Sequence, residues 1–264
     1  MNTLLRLLII TVTMAVLSAC AQRAPQLRIE QEAPQAEAAK VWSKFVANTN
    51  YPSAPFRIRS SFRFKTPDTS NRATLQAWGN GNDSIRIDIT GPFGSVIASL
   101  RVENNEFTIY EPDRKLAAVS NTGQDILMRL GLPVPVSVQE TIALLRGNYG
   151  TLFPHTYETA HLEGENNIAY TFASNARKLS DGTLVLNKQG KPIVWEKTDK
   201  KMSITFDDYS GGFPYKIQVL AGKERSATFF IKDRSSPFSP FPQEALELKL
   251  PPDTRIQPMA SATQ

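Results

Sequence analysis

The 264-residue chain has 30 basic and 25 acidic residues, two histidines and one cysteine. The lone cysteine excludes an internal disulfide and any cysteine-rich metal framework. The mild positive charge is spread along the chain, so no nucleic-acid partner is expected.

The N-terminus carries the first signal. Arg6 supplies a positive flank, and residues 7–17 form an apolar run too short to span a bilayer. It ends in Leu17-Ser18-Ala19-Cys20. A small residue before the cysteine suits a signal peptidase, and a thiol at the cut suits diacylglyceryl transfer. The pattern resembles the bacterial lipobox, which implies cleavage between Ala19 and Cys20 and lipid attachment at Cys20. Two or more acyl chains anchor a protein stably where one does not. Residues 1–19 are thus expected to be removed, leaving 29 basic against 25 acidic residues. Ala21 stands where a retention aspartate would hold the protein in the inner membrane, which favours the outer membrane.

Residues 20–33 are patternless and read as an acylated tether. Pro34 opens a helix with Val41, Trp42, Phe45 and Val46 on one face. From Phe56 the apolar period becomes two, and a meander of strands follows through residue 119. Gly79-Asn80-Gly81-Asn82 reads as a turn, and Gly91-Pro92-Phe93-Gly94 breaks another pair of strands. Thr122 can cap a short helix containing Ile126, Leu127 and Leu130. Ser137-Val138-Gln139-Glu140 is a capping box for a second, with Val138, Ile142 and Leu145 at helical spacing. Strands resume near residue 157 and run to 232, with one more expected at 245–250 and a loose tail over 251–264. About a dozen antiparallel strands and three helices are economically arranged as a curved sheet closing around helices, which can leave a cavity.

No catalytic constellation emerges. His155 and His161 lie outside any metal-binding spacing, and Asp207 and Asp208 should point to opposite faces of a strand. The sequence has no phosphate loop and no nucleophile-elbow serine, so neither an enzyme nor a cofactor is expected. Lys188, Lys191, Lys197, Lys200 and Lys201 are read as solvated strand faces, with contact to anionic lipid as the alternative.

Two segments acquire meaning together: residues 87–95, a strand broken at an aromatic tip, and residues 130–136, which lead through the capping box to Leu144-Leu145-Arg146-Gly147. Their order resembles LolB, an outer-membrane lipoprotein that receives other lipoproteins from a periplasmic carrier. The likeness covers residues 35–150 well, and the remainder only as a strand pattern. It implies a half-barrel domain over 34–250 with about eleven strands, lidded by helices and enclosing an apolar cavity for acyl chains. It also implies acylated lipoprotein cargo, a LolA-like carrier and a monomer held to outer-membrane lipid by its own anchor. The loop Gly91, Pro92, Phe93 and Gly94 matches a membrane-insertion tip that is usually aliphatic. Candidate cavity residues are Trp42, Phe45, Phe62, Phe64, Ile87, Ile89, Leu100 and Ile142, with ordinary core packing as the alternative for each. A second class of function on the same fold is a non-catalytic lipid-binding or assembly subunit of the envelope.

Overall fold

The computed structural model describes residues 31–49, 54–121, 126–129, 136–173 and 179–259. The lipobox with Ala19 and Cys20, the candidate cap Thr122 and residues 130–135 lie outside the described residues.

The first half of the chain contributes β1 (Gln31–Glu32), α1 (Gln35–Thr49), β2 (Pro55–Lys65), β3 (Ser70–Asn80) and β4 (Ser84–Thr90). These are followed by β5 (Val96–Glu103), β6 (Glu106–Glu111), β7 (Leu116–Ser120), α2 (Ile126–Arg129) and α3 (Val138–Arg146). The second half adds β8 (Thr159–Glu163), β9 (Asn167–Thr171), β10 (Gly182–Asn187) and β11 (Pro192–Lys197). Then come β12 (Met202–Ser210), β13 (Phe213–Ala221), β14 (Arg225–Ser235), α4 (Gln243–Leu246) and β15 (Arg255–Pro258).

The described strands form one sheet of 15, ordered β1-β8-β9-β10-β11-β12-β13-β14-β2-β3-β4-β5-β6-β7-β15. Its two ends are different strands, so the sheet is open. All pairs are antiparallel except β7–β15. The count exceeds the expected eleven, and both edges come from segments expected to lie outside the sheet. Gln31 and Glu32, expected in the tether, pair with Leu162 and His161. Residues 255–258, expected in the tail, pair with β7.

Period-two alternation decides which face is apolar. Along β4, Ile85, Ile87 and Ile89 are buried between half-exposed Arg86 and Asp88. The same rule turns Phe56, Ile58 and Phe62 of β2, Leu75 of β3 and Leu100 of β5 inward. The inner face is covered by α1, through Ala38, Val41, Trp42 and Phe45, by Ile126 and Leu127 of α2, and by α3. A separate small cluster of Ala169, Val185 and Val194 lies outside this core.

The Pro-rich C-terminus neither forms the strand expected at 245–250 nor fills the interior. It crosses the outer face of β3, β4 and β5 as a strap. Asn80 exchanges two side-chain hydrogen bonds with the backbone of Phe241, at 2.9 and 2.8 Å. Trp78 Nε1 donates to Ala245 O at 2.8 Å, and Arg86 Nη1 to Glu247 O at 3.4 Å. A segment lying across a sheet face meets side chains rather than a free ladder, so the alternation of Leu246, Leu248 and Leu250 gains no strand. Only at β7, an open edge, does the chain pair as β15. There Lys115 Nζ meets Asp253 Oδ2 at 2.5 Å, holding the Asp253 carboxyl below and the Lys115 ammonium above their ordinary ranges.

Asn80→Ala is expected to remove both Phe241 bonds and cost about 1–2 kcal/mol. Chemical denaturation checks the loss, and hydrogen exchange should show Phe241 and residues 255–259 opening before β3 and β4.

Candidate functional site

Loop 91–95 joins β4 to β5. Gly94 N donates to Gly91 O at 3.1 Å, and Gly91 N to Ser95 O at 2.8 Å, so the turn is closed by its own backbone. Gly94 has φ of +82°, a conformation costly for a side-chain-bearing residue. Pro92 fixes the approach, and Phe93 at the tip is 99% exposed. Val96 and Ile97 behind it are also exposed. Phe93 does not fold back into the core.

The candidate cavity residues divide into two groups within one apolar cluster. Trp42 and Phe45 of α1 belong to an aromatic assembly over the β9–β10 half of the sheet. Trp42 lies 5.0 Å from Tyr170, 5.5 Å from Tyr157 and 5.7 Å from Phe172, measured between ring centroids. Phe45 packs 6.0 Å from Phe153. Two hydrogen bonds fix α1 there: Trp42 Nε1 donates to His155 O at 2.8 Å, and the Tyr170 hydroxyl to Ala38 O at 2.9 Å. Burial raises the pKa of that hydroxyl. The approach of α1 to the β10–β11 turn depends on Gly190, where a Cβ would lie 2.8 Å from Phe45 N.

Phe62, Ile87, Ile89 and Leu100 line the inner face of β2, β4 and β5, beneath the helices that carry Ile142. Phe62 stacks between Phe64 and Phe229, at 5.7 and 5.4 Å. Phe64 is half-buried, and the other seven are buried. An acyl chain can therefore reach most of these side chains only if a covering element moves.

α3 is the best-defined cover. Its capping box is formed as expected: Glu140 N donates to Ser137 Oγ at 3.2 Å, and Ser137 N to Glu140 Oε2 at 2.7 Å. At the other end Gly147 caps in the left-handed region, where a Cβ would fall 2.6 Å from the Phe213 ring. Arg234 Nε donates to Leu145 O at 2.8 Å, closing a terminal carbonyl. Arg146 stacks 4.3 Å over Phe56 and donates to Ala54 O at 3.2 Å. Burial pulls its pKa down. A cleft of about 260 Å³ opens beside this helix end, reaching Phe56 and Ile58 of the core. Sequence patterning named the box and Arg146, but neither arginine's contact was legible, because their partners are 89 and 92 residues away.

No acid–base pair forms at Asp207 and Asp208: Asp207 pairs with Lys216 at 3.2 Å, and Asp208 is exposed between the paired Asp207 and Tyr209 of the β12–β13 ladder. Among the described residues no group of three metal-ligating side chains occurs.

An open, strongly curved antiparallel sheet with helices on its inner face defines a LolA-like fold. A LolA superfamily protein from Nitrosomonas europaea superposes with a TM-score of 0.56 at 12% identity, over 80% of this chain and 97% of the other. A DUF1329 family protein from Desulfovibrio piger superposes with a TM-score of 0.51 at 13% identity, over 81% and 98% of the two chains. Within that class, residues 54–144 match the family described as outer membrane lipoprotein LolB. The matched region runs from β2 into α3 and includes the Phe93 loop. No curated protein matches the chain.

Ser137→Ala should leave one α3 donor unsatisfied and cost about 1 kcal/mol. The expected signature is faster amide exchange in residues 138–141, with the β4–β5 ladder unchanged.

Proposed function

We propose that the protein is an outer-membrane lipoprotein that takes the acyl chains of other lipoproteins from a periplasmic carrier and helps insert them into the membrane. The observation that carries this reading is the Phe93 loop: a fully exposed ring on a backbone-closed turn, within the region that matches LolB. Burial of such a ring in lipid is worth about 1.5–3 kcal/mol. The inner-face residues from Trp42 to Ile142 would receive the chains after α3 swings aside. The cleft beside Arg146 is the proposed entrance, since it already touches the core. At about 0.8 kcal/mol per buried methylene, a small excess of burial over the carrier would set direction without a nucleotide. Acylation of Cys20 would hold the domain at the membrane it serves.

The closed packing of seven candidate residues favours a second reading, in which the same fold is an envelope assembly subunit that never opens. The two are separated by presenting the chain from residue 20, with Cys20→Ser, to a carrier loaded with a triacylated lipoprotein. The receptor reading predicts acyl-chain uptake by this form and by Phe93→Glu alike. In the lipidated protein, Phe93→Glu should slow delivery into liposomes by about ten- to a hundredfold. Absence of uptake by the unsubstituted tip would sink the receptor reading and leave the assembly subunit.

A further inference from the structure

The end of the sheet that carries Phe93 also carries an excess of positive charge. Among the described residues, five complete hairpin turns lie there: β2–β3, β4–β5, β6–β7, β11–β12 and β13–β14. With one flanking residue on each side, they hold eight basic residues against five acidic. The five hairpin turns at the opposite end hold two basic against five acidic, so charge is polarised along the strands.

The excess centres on a cleft of about 700 Å³ between the β2–β3, β11–β12 and β13–β14 turns. Pro67, Met202 and Ala221 contribute apolar lining, and four basic side chains, Lys197, Lys201, Lys223 and Arg225, line it against two acidic ones, Asp199 and Glu224. Lys65 pairs with Ser226 across the β2–β14 ladder, which places it next to Arg225. Lys197 is committed to Asp199 and Asp181, at 3.0 and 3.7 Å. Among the described residues, the side-chain nitrogens of Lys201, Lys223 and Arg225 have no carboxylate oxygen within 4.0 Å, while the Lys201 backbone N donates to Asp199 Oδ1 at 2.9 Å, and all three residues are exposed.

We propose that this basic cleft docks on the anionic phospholipid surface of the membrane, receiving phosphodiester headgroups while Phe93 enters the same bilayer. The inference rests on the delivery reading above. Anionic leaflets attract exposed basic residues individually and additively near the surface. A projecting ring backed only by Val96 and Ile97 at the same end is suited to entering lipid, where its whole face is covered without a matching pocket. The geometry permits both attachments at once. The chain enters the sheet at the opposite end, where Gln31 pairs with Leu162. Residues 20–30 can span about 40 Å when extended, close to the ~37 Å length of the 11-residue strand β2.

The test uses the chain from residue 20 with Cys20→Ser, which contains the whole described sheet and core. Sedimentation with phosphatidylcholine vesicles, with and without 30% phosphatidylglycerol, is compared across charge variants of confirmed thermal stability. Binding should require phosphatidylglycerol and weaken with salt. Lys201→Glu/Lys223→Glu should weaken it about tenfold or more, while Lys188→Glu/Lys191→Glu, with the same charge change at the opposite end, should alter it less than twofold. Equal losses in the two variants, or binding indifferent to phosphatidylglycerol, would overturn the proposal. Release by inorganic phosphate at an ionic strength where chloride does not release would assign the cleft to free phosphate and overturn it too. Loss of carrier association with vesicle binding intact would assign it to an acidic protein. Acyl-chain uptake by the same variants separates the two readings: intact uptake without docking defeats only this inference, and docking without uptake defeats only the receptor.

Discussion

The structure depends on the need to cover one apolar concave face. Alternation along the strands puts the inner side chains of β2 to β5 and β12 to β14 on the same side, and no strand can hide its own face from water. Three helical segments supply the cover, and they do so unequally. α1 is fixed by ring packing around Trp42, by two buried hydrogen bonds and by the close approach at Gly190. α3 is embedded along its length, with Val138, Ile142, Leu144 and Leu145 buried in the core, and is tied at its C-terminal end by the Arg234 and Arg146 contacts. The cleft of about 260 Å³ at that helix end is what singles out the α3 side as the proposed entrance.

Local signals made much of this legible. The β4 isoleucines, the capping box and the closed turn around Phe93 each follow from residues within ten positions of one another. Long-range placement was not legible. β1 and β15 are edge strands whose two- and four-residue segments have no alternation to read, and only an available sheet edge makes them strands. Residues 245–250 present the converse: an alternating pattern that lies across a face and has no ladder to join. The strap depends on Asn80, Trp78 and Arg86, and nothing near those residues in sequence marks them as its partners.

The site was legible in composition and not in state. Trp42, Phe62, Ile89 and the others were recognisable as inner-face residues from period alone. Whether they wall a cavity or fill a core depends on the position of helices that sequence does not set. The placement of the rim charge was equally hidden, since Lys65 lies more than a hundred residues from Lys201 and Lys223 and meets them only because β14 closes onto β2. The same closure puts Phe93 at the basic end, so the apolar tip and the charged cleft are consequences of one strand order.

The account stands on entry of acyl chains onto the inner face of the sheet. The most direct measurement is photocrosslinking of a lipoprotein whose acyl chain bears a diazirine near its terminus, handed over by a carrier, with the labelled residues mapped by mass spectrometry. The account predicts labels on Trp42, Phe62, Ile89, Leu100 and Ile142, lost when α3 is tethered shut by a crosslink to β14. Labels confined to the Phe93 loop and the outer surface, with the inner residues untouched, would contradict it.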